Sequence, residues 1–368
     1  MRARQPSSDT ANVAHYSGAG RPPTLKDVAS AAGVATMTAS RVLGGHGYAG
    51  EETRARVLAA AQALGYRPNV SARALRTQQT RLLGVYAAHL SRPLHHELLL
   101  GARTEAARYG YRLVLEAGAE GERAGAALAC DGYLVVPGAS GLAPAAPPQA
   151  VQAGIPTIYA LSRPASWHGD AVVTDFRRAT GAAVSHLASR GYRRVGLLSY
   201  DPPAHRGAPP TDVTAGYLEA VRDAGMDTDK ALIAQLADDD ADVEQVLGRL
   251  LDLAEPPDCL VVLSVAATPT ALRYLSRRGV RPAGPLGFVG TEGTRNAWSD
   301  LLSPSLTVLR VPGYEIGRLS TRRLVHTLTG SAVAEGAPAL VTEVPCDLVE
   351  GDSSRGRASP TRVRGATN

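Results

Sequence analysis

The stretch that decides the fold is Thr24–Leu43, "TLKDVASAAGVATMTASRVL". Leu25, Val28, Ala29 and Ala32 stand at i, i+3, i+4 and i+7, so one face of a helix is apolar while Lys26 and Ser30 face water. Thr24 precedes them as an N-cap, and Asp27, three residues on, supplies an acidic variant of the capping box. Gly33 then gives the turn, because it takes positive φ at little steric cost. A second helix from about Thr36 to Leu43 buries Val34, Ala39, Val42 and Leu43 and leaves Thr36, Met37, Thr38, Ser40 and Arg41 free or partly free. Two short helices around a tight turn, the second with a hydrogen-bonding outer face, describe a helix-turn-helix with its recognition helix. The competing description is a plain helical hairpin with a solvated face.

The next segment favours the first description. "EETRARVLAAAQALGYRPN", Glu51–Asn69, places Thr53, Val57, Ala60, Ala61 and Leu64 on one stripe of a third helix, which Gly65 ends and Pro68 keeps ended. Three helices of this size make a small DNA-reading domain. Charge agrees: between Arg21 and Arg81, nine Lys or Arg face three acids, a local +6 within a whole-chain +5, so the rest of the chain is mildly acidic. A basic module on an acidic body is the footprint of a nucleic-acid-binding head.

The remainder reads differently. At 368 residues and 44% hydrophobic content, the chain is long enough for two or three cores. From Leu82 onward, short apolar runs alternate with helical patterns: "LLGVYAA", "YRLVLEAG", "GYLVVPG", "IPTIYAL", "RRVGLLSY", "CLVVLS" and "LGFVGTE". Such runs between helices argue for parallel sheets built of βαβ units.

At this point a resemblance becomes specific. "TLKDVASAAGVATMTASRVL", then "ETRARV", then "LGYRPNVSARALRTQQT" follow, ungapped, the order and spacing of the DNA-binding head of the lactose-repressor (LacI/GalR) family of bacterial transcription factors. "GARTEAARYGYRLVL", "GAAVSHLASRGYRRVGLL" and "LSPSLTVLRVPGYEIGRLSTRRL" are similar to the effector domain of that family. The resemblance implies an all-α helix-turn-helix head joined by a hinge helix to an α/β periplasmic-binding-protein-like body of two Rossmann-like subdomains.

The resemblance also implies roles. Thr36, Met37 and Arg41 stand where the family contacts base edges; Arg41 suits guanine, and the methyls of Thr36 and Met37 suit thymine. For Met37, packing within the head is the structural alternative. Thr24, Thr38, Tyr48 and Thr53 are placed for phosphates, with help from helix amide ends. "NVSARALRT", Asn69–Thr77, resembles the hinge helix, with Asn69, Ala72, Leu75 and Arg76 at the minor groove: Leu75 as the wedge between base pairs and Arg76 beside it. Nine residues cannot hold a helix alone, so it is expected to order only when two copies pair over DNA. Three departures weaken the match: Ala35 and Gly50 stand where the family often has Ser, and Gly44 where it often has Asn.

The effector positions are less well kept. Asp175 matches the acidic residue after the "VVTD" strand. The family's Arg has become Val213, its Asn-Asp pair Ser264 and Val265, and its Asp Glu292. His95 and His96 open the first body helix; they point about 100° apart, so they form no metal pair, and His96 is expected on the polar rim of an effector pocket with Asp175, Val213, Ser264 and Glu292. Each unpaired sugar hydroxyl costs about 1 to 3 kcal/mol on burial, so the lost polar residues make a typical sugar a poor fit. The segment "AGAEGERAGAALACDG" after the second strand is shorter than the family's, which implies a trimmed first subdomain.

Other classes are disfavoured. No G-x-G-x-x-G after a strand, G-x-x-x-x-G-K-[ST], G-x-S-x-G or H-E-x-x-H occurs, so catalysis is not expected, and neither is a cofactor or a metal. Cys130, Cys259 and Cys346 fit neither a disulfide framework nor a zinc site. No apolar run approaches 18 residues and the N-terminus lacks a secretory core, so a cytoplasmic protein with no membrane partner is expected.

The expected partners are double-stranded operator DNA, a second copy in a homodimer and a small-molecule effector of unknown identity. The expected division is an N-terminal extension 1–21, head 22–67, hinge 68–80, body 81–350 and basic tail 351–368, both ends disordered. Within the body, 81–161 with 306–328 and 162–305 with 329–350 form the two subdomains. The rivals are an effector-independent repressor with a degenerate pocket and, behind it, a solute-binding protein.

Overall fold

The computed structural model describes residues 23–44, 49–66, 79–87, 92–117, 130–137, 154–164, 167–200, 212–236, 242–283, 285–295, 297–330 and 339–356. The chain divides into two units, 1–78 and 79–368. Tyr48, the hinge residues Asn69, Ala72, Leu75 and Arg76, the segment 118–129 and the extension 1–21 lie outside the described residues, as does the tail from 357.

The first unit contains α1 (Leu25–Ala31), α2 (Thr36–Gly44) and α3 (Glu51–Ala63). Its core is Val28, Ala29, Ala32, Ala39, Val42, Val57 and Ala61, all buried, with Leu25, Val34, Leu43, Ala60 and Tyr66 packed partly against them. The side chains are small because three short helices must approach closely around so few residues. Leu64, expected on the buried stripe, is 39% exposed. It lies past the last turn of α3, where Gly65 at φ +62° turns the chain away.

The second unit holds two six-stranded sheets. The first has the order β11-β5-β4-β3-β1-β2, with β1 Leu82–Ala87, β2 Arg112–Ala117, β3 Gly132–Val136, β4 Thr157–Leu161, β5 Ala171–Thr174 and β11 Val341–Val344, all parallel. The second has the order β12-β10-β9-β8-β6-β7, with β6 Val195–Ser199, β7 Ile233–Gln235, β8 Cys259–Val262, β9 Gly287–Gly293, β10 Thr307–Val311 and β12 Asp347–Val349. Here only the β10–β12 pairing is antiparallel. Strands such as "GYLVV" are buried along their whole length, as sheets covered on both faces require.

Around the first sheet pack α4 (Pro93–Arg108) and α9 (Gly313–Leu328), which approach so closely that a Cβ on Gly101 would meet the Tyr314 carbonyl at 2.0 Å. Around the second pack α5 (Phe176–Ser189), α6 (Asp212–Asp223), α7 (Val243–Leu251) and α8 (Ala267–Arg277).

Two expectations are corrected. The subdomain boundaries differ: β5 and β11 join the first sheet, not the second, and β10 joins the second, not the first. The chain therefore crosses between lobes after β5, after β10 and between β11 and β12. Local pattern marks a strand, but its sheet is set by distant backbone partners, such as Val341 beside Ala171 and Thr307 beside Val289.

The C-terminal boundary also moves. The body continues beyond 350, because Ser353 and Ser354 are buried. The Ser353 hydroxyl accepts from Thr307 N at 2.8 Å and donates to Phe288 O at 2.7 Å. Short polar side chains here complete the hydrogen bonding of buried backbone, which composition alone reads as a loose tail.

Candidate nucleic-acid interface and effector cleft

In the head, α1 starts as expected: the Asp27 carboxylate accepts from both Thr24 N and the Thr24 hydroxyl, each at 2.7 Å. Gly33 makes the turn at φ +64°. Arg56 of α3 then fixes that turn, its guanidinium donating to Ala32 O at 3.2 and 2.9 Å. A cation over the carbonyl end of α1 also suits the helix dipole. Sequence reading missed Arg56; its one signal was a basic residue one position before the buried Val57.

Ala39 and Val42 pin one side of α2 into the core. The opposite side carries Thr36, Met37 and Arg41, all exposed, with Met37 66% exposed. Thr24, Thr38 and Thr53 are half-buried. The packing alternative for Met37 is therefore not met: the side chain is bared to solvent. The first turn of α2 has no acid, so its amide end keeps a positive character toward an anion.

In the body, ligand sites of open α/β sheets lie beyond the carboxyl ends of the strands. The five effector residues expected there stand on separate elements. His96 is exposed on α4. Asp175 caps α5, its carboxylate accepting from Arg178 N at 2.9 Å. It lines a groove of about 620 Å³ between α5 and α6 with Gly181, Gly216 and Glu219. Val213 packs partly against the core under α5 and α6. Ser264 is buried, shares a hydrogen bond of 2.6 Å with the Tyr200 hydroxyl, and accepts from Ala267 N at 2.9 Å at the start of α8.

Glu292 departs furthest from expectation. It is 0% exposed, and its oxygens accept from Trp298 N at 3.0 Å, Ser299 N at 3.1 Å, the Ser299 hydroxyl at 3.0 Å and Arg310 Nε at 2.7 Å. The hydrogen bond to Glu292 in turn pushes the Arg310 guanidinium pKa up. A carboxylate with four protein donors holds the loop at Trp298 and Ser299 in place.

The groups that do meet across the two lobes were not anticipated as a set. The Arg92 guanidinium before α4 lies 4.7 Å from the Tyr200 ring at the end of β6. The Glu97 carboxylate of α4, 2% exposed, accepts from Thr294 N at 3.1 Å, the Thr294 hydroxyl at 3.2 Å and Arg295 N at 2.8 Å, just after β9. Arg295 in turn lies 4.1 Å from the Tyr314 ring of α9. Among the described residues, no group of three or more His, Cys, Asp or Glu is placed to hold a metal ion, and no helix is long and apolar enough to cross a membrane.

Residues 24–69 match the model of the bacterial regulatory proteins of the lacI family, and residues 184–354 match the periplasmic binding protein-like domain. The chain therefore carries a lacI-type DNA-binding domain and a periplasmic binding protein-like domain. Its relatives include the ribose operon repressor of Bacillus subtilis (strain 168), 29% identical over 331 residues, covering 85% of this chain and 94% of that protein. Catabolite control protein A of Priestia megaterium is 26% identical over 321 residues, covering 84% of this chain and 94% of the relative.

Among solved structures, the transcriptional regulator CelR in complex with cellobiose is 27% identical, covers 90% of this chain and 99% of its own, and superposes with a TM-score of 0.62. The lac repressor dimer bound to operator and the anti-inducer ONPF shares the fold, at 22% identity and a TM-score of 0.74, covering 91% of this chain and 99% of its own. The second family match begins at residue 184, inside α5, so of the first lobe it takes in α9 and β11 but none of β1 to β5.

Proposed function

We propose that this protein is a sequence-specific transcription repressor of the lacI family that binds a pseudo-palindromic operator as a homodimer. The observation that carries the reading is the split face of α2, with Ala39 and Val42 locked in the core and Thr36, Met37 and Arg41 presented outward. Thr36, Met37 and Arg41 read base edges. Thr24, Thr38, Tyr48 and Thr53 hold phosphates, and Asn69, Ala72, Leu75 and Arg76 enter the minor groove.

One such head covers a half-site, so two related by symmetry are needed for a full operator. The working division is head 22–67, hinge 68–80 and body from 81, carried on to Gly356. An operator-bound role places the protein in the cytoplasm and requires no catalysis.

In-vitro selection of DNA from a random pool, with full-length protein at physiological salt, tests the reading. The expected result is an enriched inverted repeat, with binding weakened by Arg41→Ala at particular bases and by Leu75→Ala at the centre of the repeat. Failure to enrich any sequence over the starting pool, by folded protein, rejects it.

Small-molecule control acts through the body, by lobe rearrangement that alters hinge pairing. A second reading, a repressor without an effector, is favoured by one observation: the Glu292 carboxylate is spent on protein donors. A thermal-shift panel of metabolites separates the two, because a ligand at 100 times its Kd stabilises the folded state by about 2.7 kcal/mol.

A further inference from the structure

Glu97 sits in the first lobe of the body, on the second turn of α4, yet three of its hydrogen-bond donors belong to the second lobe. Both carboxylate oxygens take part: Oε2 accepts from the amide and hydroxyl of Thr294, and Oε1 from the amide of Arg295. The approach depends on Gly293, where a Cβ would stand 2.3 Å from Glu97 Oε1. A side chain at position 293 would push the Glu97 carboxylate off these donors. Arg295 continues the contact back to the first lobe by stacking on Tyr314 of α9. A second contact, Arg92 over Tyr200, joins the same lobes.

We infer that Glu97, Gly293 and Arg295 form a clasp that sets the angle between the two lobes, and so the response of the body to its effector. This rests on the regulator reading for its consequence, although not for the clasp itself. The physical case is one of balance. A carboxylate 2% exposed has given up its hydration and recovers the loss through charge-assisted hydrogen bonds. If the lobes part, water replaces those donors at the same oxygens. The two states exchange one set of strong hydrogen bonds for another, so the gap between them is small enough for a modest differential affinity to tip. An apolar lobe contact would not be matched by water on opening, and would hold one state alone. Glu97 acts as a positioning residue, and the effector need not touch it.

The test uses the full-length protein, spin-labelled at Ala107→Cys on the exposed end of α4 and Ser276→Cys on the exposed side of α8, with Cys346→Ser removing the half-buried native thiol. Pulsed dipolar spectroscopy reads the inter-lobe distance with Glu97 native, with Glu97→Gln, with Gly293→Ala and with Arg103→Ala, an exposed site on the same helix. Glu97→Gln keeps the shape but sets an amide donor against one of the backbone donors; Gly293→Ala wedges the clasp from the other side.

The expected result is a shifted and broadened distance distribution in both clasp variants and none in Arg103→Ala, with operator affinity changed about fivefold or more in the clasp variants alone. Unchanged distributions in Glu97→Gln and Gly293→Ala, with unaltered circular dichroism, overturn the clasp. If the native protein binds no selected DNA, the regulator reading fails, and the distance measurement still decides the clasp.

Discussion

The outer face of α2 and the cleft end of the second sheet carry similar inventories of polar residues and use them in opposite ways. On α2, Thr36, Met37 and Arg41 are held outward by a small buried core and are exposed to solvent. At the cleft, Glu292 and Ser264 are turned onto the protein itself, Glu292 accepting from loop amides and Ser264 accepting from the Ala267 amide and sharing a hydrogen bond with Tyr200. The difference lies in what the backbone nearby demands. The outward side chains of α2 lie in solvent, where water can satisfy the nearby amides; the amides of Trp298, Ser299 and Ala267 are met instead by the Glu292 and Ser264 oxygens. Polar residues in a family's binding position are thus informative only once their hydrogen bonds are known.

The largest effect expected comes from unpinning the head. Val57 is 0% exposed, and Val57→Asp puts an uncompensated carboxylate into a core of seven buried residues. Operator binding should be abolished in a filter or anisotropy assay while the thermal transition of the body is kept. Retained binding would mean that α2 does not depend on this core.

Glu292→Gln sharpens the cleft side of the comparison. If the carboxylate is structural, its loss costs about 2 to 3 kcal/mol in denaturant unfolding, because hydrogen bonds to charged groups are the strong ones. Metabolite thermal shifts, if the native protein shows any, should persist. Unchanged stability with a lost metabolite shift would instead place Glu292 among ligand contacts.

Arg41→Ala should weaken specific binding by about 10- to 100-fold, equivalent to about 1 to 3 kcal/mol, and relax preference at one base pair of each half-site. A uniform loss across sequences, with a shallower salt dependence, would reassign Arg41 to a phosphate.

The smallest expected effect is a pH dependence in the body. Burial pushes the His186 pKa down from 6.5, and Arg190 adds to this, while Glu350 opposes it. The neutral ring, bonded through Nε2 to Ser354 at 2.7 Å, is the stable form. Because the folded pKa is below the unfolded one, this contribution is complete above about 6.5 and is lost as pH falls from there through the depressed folded value. Melting temperature should fall over that window, and His186→Gln should flatten the fall. An unchanged slope would remove His186 from the acid response.

The head was legible because its information is local. The spacing of Leu25, Val28, Ala29 and Ala32, the Thr24–Asp27 box and Gly33 specify two helices and a turn within a few residues, and the periodic stripe around Val57 specifies the third. Leu64 misled because it is the C-cap of α3, at the point where Gly65 turns the chain. Arg56 was not legible, since its acceptor, the Ala32 carbonyl, lies on another helix. In the body, strands could be recognised from their apolar runs, but whether β5, β10 and β11 belong to one sheet or the other could not.

The sequence by itself therefore determined the helix-turn-helix and the alternation of strands and helices in the body. Tertiary structure alone decided which sheet each crossing strand joins, that Ser353 and Ser354 close the second lobe, that Glu292 turns inward to Arg310, and that Glu97 spans the lobes. The physical reason is range. Helix caps, turns and periodicity are settled between residues three or four apart, whereas the hydrogen-bond partners of a buried carboxylate or an edge strand come from chain segments that meet only when the core has formed.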